Sequence, residues 1–166
     1  MNDIYDFLLQ GLTATLLVGV TTLTPRKKRL RNDASLCDAA SVGDRRQLAK
    51  LLANGVDPNS ADEEGTTALM AAVFAGQVDV ARHLLDAGAD PDAQDVSGMT
   101  ALMNAVIASS ELELGSTPAI FLEIVQLLLD HGADTDLEDE DGSTALDQAE
   151  SLDLVDLVDL IEQSAG

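Results

Sequence analysis

Aromatic residues are scarce in this 166-residue chain, with three Phe, one Tyr and no Trp. So few rings cannot centre a core. Leu, Ala and Val must carry the packing, which favours small, regular helices in close contact. The hydrophobic share of 46% is enough for the core of one ordinary domain at this length. Cysteine is rarer still. Cys37 stands alone, which excludes a disulfide framework within the chain and fits a reducing compartment. Cations are the third shortage: 9 Lys and Arg face 30 Asp and Glu, for a net charge of −21.

The constellations of catalysis are missing too. His83 and His131 have no Cys or His at metal-ligand spacing, and no Gly-rich phosphate loop is followed by a Lys. There is no G-x-S-x-G elbow, and no D-x-D-x-D-G loop ends in the Glu that calcium requires. The expectation is a protein that is not an enzyme and takes no cofactor and no metal.

What charge there is lies unevenly. Residues 1–35 carry five basic residues (Arg26, Lys27, Lys28, Arg29, Arg31) and three acidic ones. Residues 36–166 carry four basic and twenty-seven acidic residues, a balance of −23. Such a body repels nucleic-acid phosphates and attracts partners with basic surfaces.

The acidic body contains a repeat. Asp62-Glu63-Glu64-Gly65-Thr66-Thr67-Ala68-Leu69-Met70 returns as Asp95-Val96-Ser97-Gly98-Met99-Thr100-Ala101-Leu102-Met103, and again as Asp139-Glu140-Asp141-Gly142-Ser143-Thr144-Ala145-Leu146-Asp147. A second phrase, Leu-Leu-x-x-Gly-x-Asp, places Gly55, Gly88 and Gly132 in register with it. Gly65 to Gly98 and Gly55 to Gly88 are both 33 residues; Gly98 to Gly142 and Gly88 to Gly132 are both 44. Eleven residues have therefore been inserted in the third unit.

Each phrase has a physical reading. Thr67, Thr100 and Thr144 sit where a helix begins and can cap its open amides. Gly55, Gly88 and Gly132 follow Leu-rich runs and can close a helix in the left-handed conformation. The Asp-x-x-Gly segments make tight turns between helix pairs. Neither helix of a pair can bury its apolar stripe alone, so the pairs must stack. Ala68, Ala71, Ala72, Ala101, Ala105, Ala145 and Ala149 are small enough to permit it. Asp153, Asp156, Asp159 and Glu162 fall on one side of the last helix, a polar outer face for the end of the stack.

These phrases resemble the ankyrin repeat, with its pattern D-x-x-G-x-T-P-L-H-x-A-A followed by L-L-x-x-G-A-D. The resemblance covers residues 34–166 as four units, at about 34–61, 62–94, 95–138 and 139–166. It implies an all-α solenoid of helix–turn–helix units with β-turn tips; the residues before it, 1–33, read as an N-terminal hydrophobic helix and a basic linker. The family Pro is Ala68, Ala101 or Ala145 here. The family His is Cys37, Met70, Met103 or Asp147, so the hydrogen bonds that His makes between repeats are expected to be missing. The insertion is placed between the helices of unit three, at 110–120, as an acidic loop that is a neutral decoration or a second contact site. Thr117-Pro118 reads as the cap and first turn of a helix running to Asp130.

The resemblance also implies a binding role. Family partners dock on the concave side made by the turn tips and the short inner helices. By position the tips are Glu63, Glu64 and Thr66, then Val96, Ser97 and Met99, then Glu140, Asp141 and Ser143. The inner-helix positions are Ser41 and Val42, then Phe74 and Ala75, then Ile107 and Ala108. Phe74 and Ile107 would form an apolar pair ringed by acids, with core packing the competing reading. Three functions compete: a non-catalytic adaptor for a basic protein partner, which is preferred; an acidic inhibitor that imitates nucleic acid; and a self-associating structural part.

Residues 7–24 contain no charge, and the basic run Arg26, Lys27, Lys28, Arg29 and Arg31 follows Pro25. Eighteen residues is at the short end for a membrane span. The basic run suits anionic lipid headgroups and would keep the repeats cytoplasmic, at the inner face of the plasma membrane. A cleaved signal peptide fits poorly, because the charges follow the apolar stretch. Lying on the membrane surface, covering the first repeat, or serving as an unstructured basic leader are the alternatives.

Overall fold

The computed structural model describes residues 36–110 and 117–164. They form eight helices in four antiparallel pairs: α1 (residues 36–41) with α2 (Arg45–Ala53), α3 (Ala68–Phe74) with α4 (Val78–Asp86), α5 (Ala101–Ser110) with α6 (Ala119–Asp130), and α7 (Ala145–Ser151) with α8 (Val155–Ser164). The inner helices α3, α5 and α7 stack on one another, and α4, α6 and α8 stack behind them. This is the all-α solenoid that the repeat implies. Among the described residues the extended backbone amounts to one isolated antiparallel bridge, Ala61 to Thr67.

The core is aliphatic, as the shortage of rings requires. Leu36, Leu48, Leu69, Met70, Leu84, Leu102, Met103, Ile124, Leu128, Leu157 and Ile161 are fully buried. Burying one such side chain contributes about 2 kcal/mol. Ala68, Ala72, Ala101, Ala105, Ala145 and Ala149 seal the contacts between inner helices. Ala71 differs from that group in being half-buried.

The inner helices start where the Thr residues fall. The hydroxyls of Thr67, Thr100 and Thr144 accept from the amides of Met70, Met103 and Asp147 at 3.3, 3.3 and 3.2 Å. At two of these three caps the residue in place of the family His completes the cap. Met70 Sδ accepts from Thr67 N at 3.4 Å, and Asp147 Oδ2 accepts from Thr144 N at 2.9 Å. At the opposite helix ends Gly55, Gly88 and Gly132 hold the left-handed conformation, with φ of 79°, 89° and 81°.

The insertion is not all loop. Relative to α3 and α4, helix α5 ends three residues later and α6 begins three residues earlier, so an added turn on each helix absorbs six of the eleven residues. Ser110, Ala119 and Ile120 are helical, and residues 111–116 lie outside the described residues. The added turns are packed in, with Ser109 and Phe121 buried, and so is Thr117 just before α6. Phe121, at 3% exposure, is the sole aromatic of the described core. Thr117 does not cap α6; Pro118 occupies the cap position and makes no side-chain bond. A proline at that position lacks a hydroxyl to offer the amides, and the Thr, one residue too early, turns into the core instead.

Candidate functional site

The turn tips are built by one carboxylate each. Asp62 Oδ1 accepts from the amides of Glu64 and Thr66 at 3.1 and 2.8 Å. Asp95 Oδ1 does the same for Ser97 and Met99 at 2.8 and 3.0 Å, and Asp139 Oδ1 for Asp141 and Ser143 at 3.0 and 2.9 Å. Successive tips are then joined through the backbone. Val96 N donates to Glu64 O, and Glu140 N to Ser97 O, both at 3.0 Å. The glycines of the first two tips leave no room for a side chain. At Gly98 φ is +76°, and a Cβ would stand 2.9 Å from Asp139 Cα in the next tip.

Side-chain bonds add to the stacking below the tips. Asn59 Nδ2 donates to Gly88 O and its Oδ1 accepts from Asp90 N, at 3.1 and 2.6 Å. Asp92 Oδ1 accepts from Asp134 N at 2.7 Å. These are inter-repeat bonds made without the family His.

Along the tips Glu63, Glu64, Val96, Ser97, Glu140 and Asp141 are exposed, while Thr66, Met99 and Ser143 are half-buried. Phe74 is 45% exposed and Ala75 is exposed, so core packing is not the role of that ring. Ile107 is half-buried. Ala108 is a correction: at 4% exposure it is buried within the added turn of α5 and offers no surface to a partner.

Phe74, Ala75 and Thr66 share a pocket of about 380 Å³ on the inner side. Ser41, Met70, Ala71, Asp95 and Asn104 complete its lining. The sequence reading missed Ala71, Asp95 and Asn104 as lining. A signal for them exists: Ala71 lies three residues before Phe74 and Asn104 three before Ile107, one turn along the same helix face.

The cations stand elsewhere. Among the described residues every Lys and Arg lies on an outer helix, with Arg45, Arg46 and Lys50 on α2 and Arg82 on α4. From residue 83 onward there are twenty acids and no Lys or Arg. Two of the cations bridge neighbouring repeats: Arg45 meets Asp79 at 2.8 Å, and Arg82 meets Glu123 at 3.5 Å. Both pairs are exposed, so each contributes about 0–1 kcal/mol. Their placement matters more than their strength, because no basic side chain borders the inner pocket.

The fourth repeat handles its tip carboxylate differently. Gln148 Nε2 donates to Asp139 Oδ2 at 2.9 Å. The Ser143 amide, with help from Gln148 and the Asp141 amide, holds the Asp139 carboxyl below the ordinary carboxylate range. The Thr144 hydroxyl and amide do the same for Asp147. Among the described residues no group of three His, Cys, Asp or Glu side chains is placed to hold a metal ion.

Comparison with known families decides what the stack is. A model of three ankyrin repeats matches residues 36–114, and a single-repeat model matches residues 97–140. Together they span well over half of the chain. It belongs to the ankyrin-repeat family. No match is found among curated proteins. Ankyrin repeats are protein–protein interaction modules, and the family is generally non-catalytic. No helix among the described residues is long and apolar enough to cross a membrane. The charge-free stretch at 7–24 and the cluster Arg26, Lys27, Lys28, Arg29 and Arg31 lie outside the described residues.

Proposed function

We propose that this ankyrin module captures a protein partner with a basic surface through its inner side. One observation carries the reading. The inner pocket holds Asp95 beside the exposed Phe74 and the tips add the exposed Glu63, Glu64, Glu140 and Asp141, while every described Lys and Arg stands on an outer helix. A cationic partner approaching the inner side meets attraction without an opposing charge. Phe74 supplies a desolvated anchor, and Glu63, Glu64, Val96, Ser97, Glu140 and Asp141 form the rim around it. Thr66, Ala75, Met99, Ile107 and Ser143 complete the contact, and Ala108 does not take part.

Partners identified by cross-linking should be basic at the contact. The double variant Phe74→Ala, Glu64→Lys should weaken purified partner binding by at least about tenfold. Unchanged affinity, or contacts without excess Lys and Arg, would overturn the reading. Residues 4–31 are the proposed tether, holding the repeats against the cytoplasmic face of a membrane by an apolar stretch and a basic cluster. Carbonate-resistant pelleting of the full chain, lost on removal of residues 1–31, is the expected result; equal solubility of both forms would remove the tether.

A further inference from the structure

Tip carboxylates at equivalent positions differ in whether the chain itself completes them. In repeat four, Gln148 stands nine residues after Asp139 and donates to its Oδ2 at 2.9 Å. In repeat three the residue nine after Asp95 is Asn104, one methylene shorter. Its Nδ2 turns to Thr100 O at 2.8 Å instead. Among the described residues no donor then reaches Asp95 Oδ2, although Oδ1 is used by the tip. Among the described residues no donor reaches Asn104 Oδ1 either, while its Nδ2 is committed to Thr100 O. Asp95 and Asn104 both line the pocket that Phe74 also lines.

We infer that this pocket receives one arginine side chain of the basic partner, an assignment that rests on the reading of the inner side as the docking surface. The chemistry selects arginine over lysine. A guanidinium is flat, weakly hydrated and carries its donors in a fixed fork, so it stacks on a ring while donating to two separate oxygens. An ammonium is a compact, strongly hydrated point charge and gains less from a ring with a one-sided carboxylate. Repeat four has no such vacancy, because Gln148 already supplies the amide donor that the guanidinium brings to repeat three.

The test uses the full chain and three synthetic peptides, acetyl-(Gly-Arg)3-amide and its lysine and citrulline counterparts, with affinity read by titration. The arginine peptide should bind about fivefold tighter than the lysine peptide, and the neutral citrulline peptide should bind weakest. Phe74→Ala and Asp95→Asn should each bring the arginine-to-lysine ratio near one; Asn at 95 retains the Oδ1 that shapes the tip. Asn104→Gln, which gives repeat three the internal donor of repeat four, should lower the ratio in the same way. Asp141→Asn, outside the pocket, should weaken both charged peptides and leave the ratio unchanged. Equal binding of the arginine and lysine peptides, or a preference that survives these pocket variants, overturns the arginine pocket and leaves the basic-partner reading standing. Binding of no charged peptide overturns both.

Discussion

The two long edges of the repeat stack follow different rules. At the tip edge three turns share one construction, with an Asp oxygen on two amides, a glycine at positive φ, and a backbone bond to the neighbouring tip. At the opposite edge, where each inner helix turns into its outer partner, nothing repeats so closely. Units one and two use Gly43 and Gly76, unit three has the insertion, and unit four uses Asp153 at φ 56°. The difference has a steric origin. Gly65 and Gly98 press on the next tip's backbone, whereas Gly76 has only side-chain atoms of Ile120 and Phe121 near it, at 3.6 and 4.0 Å. Variation collects where the neighbour can give way.

The largest test of this contrast is Phe121→Ala. If the added turns of unit three are packed as described, losing the buried ring should cost about 3–5 kcal/mol in chemical denaturation. A loss under about 1 kcal/mol would make the insertion a decoration, since small costs mark surface sites. Gly98→Ala comes next. Left-handed strain and a contact at 2.9 Å with Asp139 Cα should together cost about 2–3 kcal/mol. Gly76→Ala, with strain and no tight contact, should cost about 1 kcal/mol. Equal losses at the two glycines would erase the distinction between the edges.

Asp153→Gly should work in the other direction. It relieves a left-handed non-glycine residue and one negative charge, and should raise stability by about 0.5–1 kcal/mol. The smallest effect is acid sensitivity of unit four. The folded-state values of Asp139 and Asp147 lie below the ordinary 3.8, so their contribution is complete above that pH and disappears as pH falls through the lower folded values. Hydrogen exchange in α7 should therefore quicken over that window, and Asp147→Asn should flatten the response. An exchange rate independent of pH there, after correction for intrinsic rates, would remove this coupling.

Much of the fold was legible in the chain because its signals are local. The Thr caps, the helix-closing glycines and the Asp-x-x-Gly tips depend on a few consecutive residues, and the 33-residue spacing multiplies each signal. Ala108 and Thr117 were misread for a common reason: their burial depends on how eleven inserted residues are divided between helix and loop, which no short window reveals. The capping role of Met70 was hidden because thioether sulfur is a weak acceptor and rarely chosen for that task. Of the site, Phe74 was visible as an aromatic at an inner position. Asp95 was not, since its place in the tip turn already explained it, and Asn104 carried a signal only by lying one turn from Ile107 on the same helix face.

The joined tips have a mechanical meaning. Backbone bonds from Glu64 to Val96 and from Ser97 to Glu140 run along one side like the sewn spine of a book, and the helix pairs are its leaves. Anything wedged between leaves will splay the unsewn margin before the spine parts. Bending is therefore steered into one direction, and the spacing of carboxylates along the spine stays constant while the breadth between the leaves adapts to its occupant.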